Sequence, residues 1–131
     1  MIENKLINVG LAFIFLGIIL GAFAAHGLKS LAIAESSIES FESGVKYMIY
    51  NGLGFLALAG IRSRLDFLLK FHFRTIFWGT VFFSGSIFCL VLLPVVGIEI
   101  NNWIAPITPF GGALMIVGWG TLLIKHLRNT F

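Results

Sequence analysis

Charge is what this sequence has least of. Only 11% of its 131 residues are Asp, Glu, Lys or Arg, about half the share that a soluble domain carries. So little polar surface cannot cover an apolar core in water, and lipid is the implied solvent. Cysteine is almost missing too. Cys89 stands alone, which excludes an intrachain disulfide and leaves the redox compartment unspecified. No G-x-G-x-x-G or G-x-x-x-x-G-K-[ST] loop is present to cradle a phosphate, and the "GLG" at Gly52–Gly54 lies inside an apolar run. No G-x-S-x-G elbow presents a nucleophilic serine. Tandem repeats and low-complexity segments are absent, and 14.4 kDa leaves no room for a second folded domain beside membrane spans.

What is there is apolar. Hydrophobic residues make up 58% of the chain, Phe occupies 14 positions, and the mean hydropathy is +0.98. Four runs stand out: Leu6–Ala25, Gly44–Ile61 (charged only at Lys46), Ile76–Leu93 entered from Phe71, and Ala105–Ile124. At about 1.5 Å per residue, some 20 residues cross a hydrocarbon core. The sequence predicts an all-α membrane protein, a single domain over residues 1–131 with helices near 6–26, 37–61, 71–93 and 105–126. Short connections make an antiparallel bundle of four transmembrane helices the simplest packing. The segment "ESSIESFESGVKYMIYNG" reads as a short amphipathic stretch leading into the second helix, with Glu42 and Lys46 spaced as a favourable i, i+4 pair.

Lys5, an apolar run and "AFA" at Ala22–Ala24 imitate a secretory signal. The run of about 20 residues is nevertheless longer than the 7–15 of a signal core, so a transmembrane helix is expected. With four spans, both termini and the second loop share a side, and that side carries Lys5, Arg62, Arg64, Lys70, Arg74, Lys125 and Arg128 out of 9 basic residues. The opposite side has Lys29 and Lys46 beside Glu35, Glu39, Glu42 and Glu99. The positive-inside rule therefore places both termini of the multi-pass chain in the cytoplasm. The sequence pI near 9.4 thus reflects topology, and no nucleic-acid partner is implied.

Small residues form seams. At 100° per residue Gly10, Gly17, Gly21 and Ala24 share one face of the first helix, and Gly79 aligns with Ser86 and Gly111 with Gly118 in the third and fourth. Backbones approach closely along such seams, because lipid supplies no hydrophobic drive for helix association. They are assigned to packing within the chain, although the same seams could join two protomers, so the oligomeric state is left open.

The polar residues gather in the outer half. His26 closes the first helix, with Gly27 suited to a stop. Glu42, Lys46, Tyr47 and Asn51 belong to the second helix, Ser84 and Ser86 to the third, and Thr108 to the opening of the fourth. One reading makes them helix caps and interhelical hydrogen bonds. The other makes them an outward-facing pocket for a lipid or quinone, with His26 facing Glu42. A Ser–His–Glu triad can be sketched, but nothing in the sequence supplies oxyanion donors. His72 and His126 sit among interfacial cations and are read as interfacial, with neither metal nor haem implied.

The stretches "LGIILGAFAAHGLKS", "FESGVKYMIYNGLGFLAL", "FSGSIFCL" and "ITPFGGALMIVGW" occur in order over nearly the whole chain. In these the chain resembles the YgdD-like family of small bacterial inner-membrane proteins. The resemblance implies four transmembrane helices and no established activity, substrate or cofactor. Its motif positions fall on Gly21, His26, Gly27, Glu42, Gly44, Tyr47, Ser84, Gly85, Ser86, Thr108, Pro109, Gly111, Gly112 and Trp119. Relatives often carry histidine where this chain has Asn51, so a mechanism needing a second intramembrane imidazole is not supported here. The function expected is that of a non-catalytic integral membrane protein, either an accessory subunit of a larger membrane complex or an envelope-stability factor. The alternative is the lipid or quinone binder. The partners implied are the bilayer and other membrane-protein subunits.

Overall fold

The computed structural model describes residues 1–99 and 102–131. Four long helices account for most of them: α1 Ile2–Phe23, α2 Glu35–Ile61, α3 Lys70–Leu92 and α4 Ile107–Thr130. No strand occurs among the described residues. Three helical stretches, Ile2–Leu28, Lys70–Val96 and Ile107–Thr130, are long and apolar enough to cross a membrane. Helix α2 is not among them, because Lys46, Asn51 and a glutamate-rich first half dilute its hydropathy.

Helix α2 explains the packing order. Its buried residues Ile38, Phe41, Val45, Met48, Gly52 and Phe55 alternate three and four apart, the seam of a helix packed at a shallow crossing angle. Glu35, Ser36, Glu39, Ser40 and Glu42 occupy the opposite, exposed side. Helix α1 packs along α2, α4 along α3, and the two pairs meet between α2 and α3.

Glycines set how closely the pairs approach. A Cβ at Gly10 would lie 2.8 Å from the Gly52 carbonyl oxygen, and one at Gly52 would lie 2.9 Å from that of Gly10. Farther along, Gly17 faces Ile49 and Gly21 faces Val45, while Ala24 is fully buried. In the other pair, a Cβ at Gly79 would meet the Gly111 oxygen at 2.9 Å and the Met115 nitrogen at 2.8 Å. Gly118 makes room for the Ile76 side chain. Small side chains thus substitute for the missing hydrophobic drive with backbone contact. The space between pairs is filled by aromatics: Phe13 of α1 stacks on Phe77 of α3 at 5.8 Å, and Phe55 of α2 lies 5.1 Å from Phe73.

Two features depart from the sequence expectation. Helix α1 does not stop at Gly27. It runs through a π-helical turn, Ala24–Leu28, and the chain reverses only at Ala32, with φ of 52°. Gly27 serves packing instead, since a Cβ there would lie 2.5 Å from the Phe23 ring. The segment Leu65–Leu69 is the second. Leu65, Phe67 and Leu69 are buried while Asp66 and Leu68 are exposed, the two-residue alternation of extended chain. This segment closes the end of the bundle that carries the termini, pinned by Arg62 donating to the Leu65 carbonyl at 2.8 Å.

Candidate functional site

The most connected polar side chain is Asn51, at mid-height of α2 and 5% exposed. Its Nδ2 donates to Thr80 Oγ1 on α3 at 2.7 Å and to Met115 Sδ on α4 at 3.0 Å. Trp119 Nε1 of α4 donates to its Oδ1 at 2.9 Å. An indole N–H can only donate, so it fixes which way the amide faces. Thr80 in turn donates to the Ile76 carbonyl at 2.8 Å. One side chain on α2 therefore ties α3 and α4 together, with both amide hydrogens and the carbonyl oxygen in use.

Two further ties lie toward the end away from the termini. Ser84 Oγ, fully buried, donates to the Gly44 carbonyl of α2 at 2.7 Å. Ser86 Oγ lies 2.6 Å from Thr108 Oγ1 of α4 and donates to the Phe83 carbonyl at 3.0 Å, which leaves Thr108 as donor between the hydroxyls. Thr108 is thus an interhelical contact and not an N-terminal cap; Pro106 holds that position, without a side-chain cap. Asn51, Ser84, Ser86 and Thr108 are brought together as a ladder running along α3. His26, Glu42, Lys46 and Tyr47 are exposed and stand outside that ladder. Tyr47 packs its ring edge-on against Phe83 at 5.2 Å.

The half of the bundle nearer the termini also holds a part-buried polar pair, and His72, read from the sequence as interfacial, is part of it. His72, 3% exposed, sits 3.1 Å from Thr121 Oγ1 on α4. Thr121 directs its proton to the Val117 carbonyl at 2.6 Å, so His72 Nδ1–H is the donor. Only the fourfold spacing of His72 and Ile76 on the buried face of α3 could have marked this histidine as internal. Among the described residues no three His, Cys, Asp or Glu side chains gather as metal ligands. No buried side-chain nitrogen or oxygen among them lacks a partner.

A cleft remains between α2 and α4. The Trp119 ring bridges it by lying over Gly54, where a Cβ would come within 2.6 Å of the indole. Beside this bridge is a cavity of about 590 Å³, walled by Tyr47, Tyr50, Asn51, Met115 and Trp119. It is mostly apolar, with Asn51 as the buried polar residue of its wall.

A family model described as "Protein of unknown function (DUF423)" matches residues 20–112, from the end of α1 into the first turns of α4. The chain belongs to this family. It is 35% identical over 108 residues to a UPF0382 membrane protein of Staphylococcus epidermidis, covering 82% of this chain and 83% of that one. Against the UPF0382 inner membrane protein YgdD of Escherichia coli it is 33% identical over 118 residues, 87% of this chain and 82% of the relative. A UPF0382 membrane protein of Haemophilus influenzae aligns over 97% of both chains at 31% identity. No solved structure matches. The chain is a helical membrane protein of this family, and Met115 and Trp119, which hold the node on α4, lie beyond the stretch the family model covers.

Proposed function

We propose that the chain is a non-catalytic membrane module, an accessory subunit or envelope-stability factor whose polar core holds helices together. The observation that carries this reading is the complete pairing of the buried polar groups: Asn51, Thr80, Ser84 and Ser86 all have partners within the bundle. A catalytic site ordinarily keeps a nucleophile or base free for its substrate. The ionisable side chains His26, Glu42 and Lys46 face outward, available to headgroups or to a partner subunit.

The proposed setting is the inner membrane, with four spans and both termini cytoplasmic. It is supported by the name of the Escherichia coli relative and by the seven cations gathered at the termini end of the helices. Mild-detergent extraction from native membranes with intact-mass analysis tests the module. A fixed stoichiometry with another membrane protein is expected, with His26→Ala and Glu42→Ala altering assembly and no chemical step. A turnover lost in either variant would overturn it.

The cleft beside Trp119 favours a second reading, a binder of a lipid or quinone. At about 590 Å³ it falls within the range of small-molecule sites. That reading requires a bound mass in the extracted protein that Asn51→Leu removes.

A further inference from the structure

A larger hollow lies elsewhere. It is a groove of about 940 Å³ along the outer side of α3 and α4, beginning at the end that carries the termini. Lys70, Arg74 and Lys125 stand at its mouth, and no carboxylate lines it. Lys125 is held there by its position over the Phe67 ring, 5.3 Å from the centroid. Beyond the cations the lining turns aromatic: Trp78 lies 5.6 Å from Phe82, which lies 5.9 Å from Phe110 of α4.

The sequence of α3 builds this gradient. Lys70, Arg74, Trp78 and Phe82 recur every fourth residue, one stripe that drifts slowly around the helix. From Arg74 to Phe82 is a rise of about 12 Å, close to the half-thickness of about 15 Å for a hydrocarbon core. The groove therefore has the profile of one leaflet, with positive charge at headgroup level and an aromatic rail at acyl depth. Lys and Arg at a membrane boundary ordinarily answer to topology alone. Three of them converging on one groove that continues as an apolar channel is a different arrangement.

We propose that this groove binds an anionic phospholipid, its phosphate held by Lys70, Arg74 and Lys125 and one acyl chain laid along Trp78, Phe82 and Phe110. The site is separate from the α2–α4 cleft and does not depend on the function proposed for the core. Charge complementarity selects the occupant. Three cations without a carboxylate favour an anionic headgroup over a zwitterionic one, each cation contributing roughly a factor of five near an anionic lipid surface.

The test is native mass spectrometry of the purified full chain, delipidated and then exposed to phosphatidylglycerol or to phosphatidylcholine of the same acyl chains. The wild type is expected to retain one phosphatidylglycerol at least ~10-fold more readily than phosphatidylcholine. Replacing the three cations together (K70Q, R74Q, K125Q) is expected to abolish that preference, while R64Q, outside the groove, leaves it intact. W78A with F82A is expected to lower retention of phosphatidylglycerol with the cations still in place. All these side chains but Phe82 are exposed, and circular dichroism of each variant verifies folding. Equal retention of the two lipids by wild type would overturn the proposal. So would a preference that survives the triple replacement, or a lipid-free dimer whose formation needs the groove residues.

Discussion

Asn51 concentrates the polar interactions of the bundle in one side chain. Its amide has two hydrogens and one carbonyl oxygen, and Thr80, Met115 and Trp119 engage all three. Asn51→Leu keeps much of the volume but takes the acceptor from the half-buried Trp119 N–H. The expected cost is about 1–2 kcal/mol, since hydrogen bonds inside membrane bundles contribute roughly 0.6 kcal/mol each and rarely above 1.7. Asn51→His offers an acceptor and a donor on opposite sides of one ring. It is expected to retain more than half of the lost stability, as measured by unfolding in mixed detergent micelles. His26→Ala and Glu42→Ala remove exposed groups outside the ladder and are expected to stay within about 0.5 kcal/mol of wild type. The type and depth of Asn51 were readable from the sequence, but its partners were not. Trp119 and Asn51 are 68 residues apart, and no periodicity within one helix says which neighbour a polar side chain will meet.

Among the helices, the closest backbone approaches are made at Gly10, Gly52, Gly79 and Gly111, where a Cβ would meet a neighbour's backbone. Gly79→Ala would press a methyl between the Gly111 oxygen and the Met115 nitrogen, at 2.9 and 2.8 Å. Backbone cannot rotate aside as a side chain can, so α3 and α4 would have to separate, at an expected cost of about 1–3 kcal/mol. Gly120→Ala meets open space and is expected to be neutral or stabilising by up to about 1 kcal/mol, because alanine loses less entropy in a helix. Thermal unfolding of the two variants in detergent separates these outcomes. Glycine spacing along α1, α3 and α4 foretold such seams, because a single helical period brings each set to one face. Sequence periodicity could not foretell the π turn at Ala24–Leu28 or the buried alternation of Leu65, Phe67 and Leu69. The alternation depends on the bundle end it closes, which lies outside the period of any one helix.

For the whole molecule, two tightly packed pairs, α1–α2 and α3–α4, are joined across aromatic side chains and a ladder of hydrogen bonds. Fold class was legible because four apolar runs with short connections admit few packings in lipid. The orientation proposed above rests on the distribution of cations, and it has a direct check. In a Cys89→Ala background, single cysteines at Ser63 and Thr130 are expected to react with an impermeant thiol reagent only from the cytoplasmic face. A cysteine at Ser30 is expected to react only from the opposite face. Labelling of Ser30 and Ser63 positions from the same side would remove a span and with it the bundle.

The sharpest measurement is a double-mutant cycle between Asn51→Leu and Trp119→Phe, read as unfolding free energy in mixed micelles. Trp119→Phe deletes the indole N–H while keeping an aromatic ring over Gly54. If the polar core holds the helices together, the two costs are not additive, and a coupling of about 0.6 kcal/mol or more is expected. Additive costs, or an Asn51→Leu protein as stable as wild type, would contradict a structural role for the node. The polar core would then have to be explained by something that the folded chain binds or does.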